Sequence, residues 1–140
     1  MASSIRIQHG SAYAHDPERA ARVLAALTGG VARAFHPCPG AWVCFLGGED
    51  DDWSGPLIEL YPRTVRLASE DGEVVFRPLP RRGEARGAGT HFNLAVDASR
   101  ETLERICAKE RVACSWRHWA GFLDVWIDDD LLIELAPSPG

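Results

Sequence analysis

Leu57-Ile58-Glu59-Leu60-Tyr61-Pro62 recurs as Leu132-Ile133-Glu134-Leu135-Ala136-Pro137, a Leu-Ile-Glu-Leu-x-Pro string that occurs twice in 140 residues. Self-similarity of this kind means that one supersecondary unit is used more than once. Each copy follows an acidic turn, Asp50-Asp51-Asp52 before the first and Asp128-Asp129-Asp130 before the second. Ahead of each turn lies an apolar, β-rich run, Ala41 to Leu46 and Phe122 to Ile127. Run and string therefore read as the arms of a hairpin in each half.

Working outward, the openings of the halves match as well. His9 begins a strand-like run that ends at Asp16, and His91 begins Phe92-Asn93-Leu94-Ala95-Val96, ending at Asp97. A helix follows in both. Asp16 is a good N-cap with Pro17 at the first helical position, and Ala20, Val23, Leu24 and Leu27 recur at helical spacing until Gly29-Gly30. Ser99 caps the second helix, whose stripe is Leu103, Ile106 and Cys107, and Arg111 leads into a strand near Val112 to Trp116. Each half reads β-α-β-β-β. Between them, Val65-Arg66-Leu67 and Val74-Val75-Phe76 flank Ser69-Glu70-Asp71-Gly72 as an extra hairpin. Pro78, Pro80, Gly83, Gly87 and Gly89 with Arg81, Arg82 and Arg86 then make a polar linker. The expected organisation is one domain over 1–140, with a first module at 1–62, hairpin and linker at 63–89, and a second module at 90–140.

Composition narrows the function. With 46% hydrophobic and 25% charged residues the chain has the balance of a globular domain, and at this length no disulfide or structural metal is needed for stability. Fifteen basic against twenty acidic residues give a net charge of −5, the wrong sign for a nucleic-acid partner. No apolar run approaches the ~20 residues of a membrane helix, and Met1-Ala2-Ser3-Ser4 opens no signal peptide. Cys38, Cys44, Cys107 and Cys114 form no CxxC pair and read as reduced packing residues. The expectation is a cytoplasmic protein without a membrane partner. Cys38 between Pro37 and Pro39 reads as part of a stiff loop rather than a nucleophile.

The repeat gives each half one histidine at the start of its first strand and one glutamate inside its last: His9, Glu59, His91 and Glu134. A carboxylate between Leu57-Ile58 and Leu60, or between Leu132-Ile133 and Leu135, lies in a strand apolar on both faces. Burying that charge is expensive unless it is paired or bound to a metal. If the modules pack about a pseudo-twofold axis, equivalent side chains converge, and two imidazoles with two carboxylates suit zinc, nickel, manganese, iron(II) or cobalt. The alternative for each glutamate is an arginine partner, with Arg6, Arg63 and Arg117 as candidates. Alternation puts His9, Ser11, Tyr13 and His15 on one face, so His15 competes with His9 as the first ligand. His36 and His118 read as loop or rim residues, and Trp116, Trp119, Phe122 and Trp126, with Tyr13, are candidate linings of an apolar substrate pocket.

On these residues the chain resembles the vicinal oxygen chelate superfamily, which includes glyoxalase I, bleomycin-resistance proteins, extradiol dioxygenases and methylmalonyl-CoA epimerase. The resemblance rests on His9 followed by Asp16, on Thr90 to Val96, and on both Ile-Glu-Leu triplets. It implies an α+β fold of two βαβββ modules in a cupped mixed sheet, of the glyoxalase, bleomycin-resistance and dihydroxybiphenyl dioxygenase kind. It also implies a divalent metal on His9, Glu59, His91 and Glu134, a small-molecule substrate with vicinal oxygens, and a homodimer. Lyase or isomerase chemistry would use Glu134 or Glu59 as base. An extradiol dioxygenase would need only His9, His91 and Glu134, and a bleomycin-resistance-like protein would bind its ligand without catalysis. Lactoylglutathione lyases usually carry arginine and asparagine where this chain has Tyr13 and Arg63.

Overall fold

Strand alternation and helix caps set the local structure, and the computed structural model describes residues 7–47, 50, 51, 53, 55–79, 91–128 and 131–139. The first module runs β1 (His9–Ala14), α1 (Pro17–Thr28), β2 (Val31–Ala34), β3 (Trp42–Phe45) and β4 (Leu57–Pro62). The second repeats it as β7 (His91–Val96), α2 (Arg100–Glu110), β8 (Ala113–Arg117), β9 (Phe122–Asp128) and β10 (Leu131–Pro137). The extra hairpin is β5 (Val65–Glu70) with β6 (Glu73–Pro78). Arg81, Arg82 and Arg86 of the expected linker, with Arg6, Asp52, Asp129 and Asp130, lie outside the described residues.

The expected caps form. The Asp16 carboxylate accepts from the Arg19 N–H at 3.0 Å, and the Ser99 hydroxyl accepts from the Thr102 N–H at 3.2 Å. Gly29 ends α1 in the left-handed region at φ 74°, where a glycine carries no steric penalty. Arg111 takes the same role after α2 at φ 56°.

The two four-stranded sheets have the same mixed topology, β1-β4-β3-β2 and β7-β10-β9-β8. The repeat extends to register: in the parallel pairs His9 lies opposite Leu57, and His91 lies opposite Leu132. Ser11 and Asn93 therefore face the two glutamates, Glu59 and Glu134. A single core spans both modules. Ala20, Val23, Leu24 and Leu27 of α1, and Leu103 and Cys107 of α2, pack with Ile58, Leu60, Ile133 and Leu135 in one buried cluster. The modules meet where a Cβ on Gly10 would stand 2.8 Å from Phe92 Cε1, so the ring occupies the space that its glycine counterpart leaves.

One sequence expectation is corrected. Trp116 pairs with Leu123, on the sheet face that packs on the helices, and the Arg100 guanidinium lies 4.6 Å over its ring. It belongs to the core side and does not share the face of Phe122 and Trp126.

Candidate functional site

The side chains of β4 that alternate with Ile58 and Leu60 point away from the helices. Through the registers, Glu59 shares this face with Ser11, Val43 and Tyr61, and Glu134 shares the equivalent face with Asn93, Asp124 and Ser115. These two faces form the insides of the modules.

In the first module the face is largely filled. Val43, Phe45 and Leu57 are buried together, and Trp53 meets Phe45 edge-on at 5.0 Å. Tyr61 packs with Cys38 and Ala41 and with Phe35, Val65 and Phe76, so the extra hairpin covers part of the face. The Tyr61 hydroxyl donates to Glu59 Oε2 at 2.7 Å. Burial, and then this carboxylate, push the phenol well above its ordinary range. His9 is exposed at the start of β1, and Tyr13 is exposed on the same face. His15 lies past the end of β1, with its N–H donated to Asp128 at 2.8 Å and its Nε2 3.2 Å from Arg63 Nη1.

The second module keeps its face open and charged. Glu134 is 7% exposed, yet its carboxylate is fully partnered. His91 Nε2 stands 3.5 Å from Oε1, Asn93 Nδ2 donates to the same oxygen at 3.4 Å, and Arg117 Nη1 pairs with Oε2 at 2.7 Å. The guanidinium is itself held by Asp124 in a bidentate pair at 2.7 and 3.0 Å. These two carboxylates hold Arg117 protonated by hydrogen bonding first and Coulombic attraction after it. Trp126 is partly exposed on this face, Phe122 is half-buried on it, and Trp119 lies at the rim, 5.3 Å under the Arg117 guanidinium.

The structure thus brings His91 and Glu134 together and pairs Glu134 with Arg117, one of the three arginine candidates. Among the described residues no three His, Cys, Asp or Glu side chains gather to hold a metal within one chain. The repeat puts one histidine and one glutamate on one sheet face of each module, so an ion held by all four would have to draw donors from both modules. In each module one glutamate oxygen is anchored, Glu59 Oε2 by Tyr61 and Glu134 Oε2 by Arg117, and Glu134 Oε1 is shared by Asn93 and His91. Anchoring the outer oxygen is how ligating carboxylates are oriented in metal sites. His36 and His118 sit in exposed loops as expected, and Cys38, Cys44, Cys107 and Cys114 are free thiols. Burial pushes the Cys38 thiol up, against a role as nucleophile.

Sequence reasoning did not assign Asp124, Tyr61 or Asn93 a part in the site. Their signal lies in the pairing: once the glutamate strands are paired, Asn93 and Asp124 fall beside Glu134, and Tyr61 falls two residues from Glu59. A cavity of about 400 Å³ lies elsewhere, lined by Arg33, Phe35, His36 and Trp53 among others.

Neither a family model nor a curated protein sequence matches the chain. Solved structures do. The fosfomycin resistance protein FosX from Mesorhizobium loti superposes with a TM-score of 0.57 at 12% identity, over 95% of this chain and 91% of that one. A lactoylglutathione lyase from Agrobacterium tumefaciens gives 0.55 at 17% identity, over 95% and 93%. The glyoxalase I of Leishmania major gives 0.52 at 18%, over 94% and 86%. At these identities the likeness establishes the fold.

Proposed function

From a chain with the vicinal oxygen chelate fold, we propose a small-molecule enzyme of the glyoxalase-like kind, with His9, Glu59, His91 and Glu134 as ligands of a divalent transition ion. Zinc, nickel, manganese, iron(II) and cobalt are the candidates. The observation that carries this reading is the His91–Glu134 pair, one imidazole nitrogen 3.5 Å from a carboxylate oxygen whose partner oxygen is already anchored. Because the repeat gives each module one histidine and one glutamate, the reading includes a homodimer in which the first module of one copy completes the second module of the other. With four free thiols, the reducing cytoplasm is its compartment. Among the described residues no helix is long and apolar enough to cross a membrane.

Such an ion, when bound, polarises vicinal oxygens of a substrate as a Lewis acid. The chain's own residues divide the remaining work. Glu134 is pinned by Arg117, Asn93 and His91 and serves as a fixed ligand. Among the described residues Glu59 is hydrogen-bonded to the Tyr61 phenol alone, so its Oε1 is the better base for a proton beside a substrate carbonyl. Phe122, Trp119, Trp126 and Tyr13 supply apolar walls for the substrate. An extradiol dioxygenase on iron(II) would leave Glu59 idle, and the lyase or isomerase reading uses all four residues.

A second reading has an observation of its own. Glu134 is already paired with Arg117, and Trp119 and Trp126 are exposed on the same module, which also suits a ligand-sequestering protein of the bleomycin-resistance type. Elemental analysis of untagged protein purified without chelator separates the two. About one equivalent of transition metal per chain, lost in His91→Ala, is expected for the enzyme. Protein that stays metal-free after reconstitution, while a planar aromatic drug quenches its tryptophan fluorescence, would overturn it.

A further inference from the structure

Three of the five tryptophans carry one of the chain's own guanidinium groups over the ring: Arg22 on Trp42 at 5.0 Å, Arg100 on Trp116 at 4.6 Å and Arg117 on Trp119 at 5.3 Å. Among the described residues Trp53 has no such cation, although Arg33 lines the same cavity of about 400 Å³. The Arg33 fork is drawn aside. Its Nε and Nη2 donate to Asp50 Oδ2 at 3.0 and 2.6 Å, and its Nη1 donates to the Ala32 carbonyl at 3.1 Å.

The walls of the cavity are fixed by their neighbours. Trp53 rests against Phe35 at 5.9 Å and Phe45 at 5.0 Å, yet 48% of it stays exposed. The loop that presents Phe35 is pinned where the Phe35 N–H donates to the Ala41 carbonyl at 2.9 Å and the Cys38 N–H to the Phe35 carbonyl at 3.2 Å. Trp53 donates its N–H to the Asp51 carbonyl at 3.0 Å, so ring and carboxylate belong to one tight turn. Asp51 lines the cavity, and among the described residues its carboxylate has no hydrogen-bond or ion-pair partner. With Arg33 balanced by Asp50, the charge left over among the described lining residues is the negative one of Asp51. An anion is repelled there, whereas a cation on an apolar body meets both an aromatic face and a counter-charge.

We propose that this cavity, which neither Glu59 nor Glu134 lines, binds a small organic ammonium ion, its apolar part on Trp53 and Phe35 and its charge between the Trp53 ring and Asp51. The ligand takes the place over Trp53 that the chain's own arginines take over Trp42, Trp116 and Trp119. The site is independent of the metal reading, because none of the four residues of that reading takes part.

The full-length protein is titrated with benzyltrimethylammonium while the tryptophan indole N–H resonances are followed by NMR, with benzyl alcohol and benzenesulfonate as neutral and anionic controls. Saturable binding of the cation with a Kd on the order of 1 mM is expected, about tenfold or more tighter than either control. The Trp53 resonance, identified by its loss in Trp53→Phe, is expected to shift most. Asp51→Asn is expected to weaken binding by about threefold or more. Asp50→Ala, which frees the Arg33 fork to compete for the ring, is expected to weaken it similarly, and adding Arg33→Ala is expected to restore it. Equal affinity for benzenesulfonate overturns the proposal, as does a shift of Trp119 or Trp126 in place of Trp53. Unchanged affinity in Asp51→Asn overturns it too, and because Asp51 is exposed this variant still decides if Trp53→Phe fails to fold. No saturable shift at concentrations on the order of 10 mM also overturns it.

Discussion

The two modules carry the same Leu-Ile-Glu-Leu-x-Pro strand in the same parallel register, yet their inner faces have opposite characters. The first is plugged by its own aromatic residues, with Phe35, Phe45, Trp53, Tyr61 and Phe76 in mutual contact. The second is open and lined by His91, Asn93, Asp124, Arg117 and Trp126. The difference begins at the free position of the string. Tyr61 fills it in the first copy and buries its ring among the loop residues and the extra hairpin, while Ala136 leaves it small in the second. Duplication fixed the backbone, and side chains at a few variable positions then divided the labour. One face packs aromatic rings around Glu59, and the other sets Glu134 among His91, Asn93, Asp124 and Arg117.

The strongest way to break this comparison is to attack what the modules share. Leu60 and Leu135 occupy equivalent places, both fully buried in the common core. Leu60→Ala and Leu135→Ala are each expected to lower unfolding free energy by about 2–5 kcal/mol, by similar amounts and in one cooperative transition. Two separate denaturant transitions would show that the modules are independent units.

A smaller effect tests the meeting of the modules. Gly10→Phe makes the first module copy the second at the contact where even an added Cβ would stand 2.8 Å from the Phe92 ring. Overpacking is expected to cost about 1–3 kcal/mol, and adding Phe92→Gly to the same chain is expected to recover most of it. Additive losses in the double variant would deny the pseudo-symmetric exchange.

The helix caps should sharpen the comparison further. Asp16→Ala and Ser99→Ala each remove one N-terminal acceptor and are expected to cost about 1 kcal/mol, read as a shift in urea midpoint without a change in slope. The Asp16 loss should be the larger, since its charge also faces the positive end of α1.

The smallest effect is on pH dependence. Two thiols lie in the core cluster that the modules share, Cys44 on β3 and Cys107 on α2, and burial pushes both up to about 12. The folded state thus holds a proton that the unfolded chain releases above pH 9.0. The stability due to burying the neutral thiol is complete well below that pH and is lost as pH rises through 9.0 toward 12. Between pH 8 and 9 the expected loss is about 0.3 kcal/mol per thiol, measurable as a slight fall in Tm that Cys44→Ala reduces.

Much of this was legible in the sequence because its signals are local or repeated. Asp16-Pro17 and Ser99 announce the helix starts, the acidic turns announce the hairpins, and the string locates the glutamate strands. The extra hairpin around Asp71-Gly72 was legible for the same reason. The strand Val31–Ala34 carries no clear pattern, since Val-Ala-Arg-Ala is short and half exposed, and only pairing with Trp42–Phe45 makes it a strand. Trp116 was grouped with Phe122 and Trp126 because their proximity in sequence does not reveal the face. The four-residue turn after Arg117 sets Arg117 opposite Phe122, and that register turns Trp116 toward the helices.

By itself the sequence determined the duplicated β-α-β-β-β plan and the candidate residues His9, Glu59, His91 and Glu134, because repeats, caps and buried charges are written in residue order. Only the tertiary structure decided which partner satisfies each carboxylate, Tyr61 for Glu59 and the Asp124-locked Arg117 for Glu134. Partner choice depends on cross-strand register and on which face a turn presents. Those are set by packing between segments distant in the chain, and a buried charge takes whichever donor that packing brings within hydrogen-bond reach.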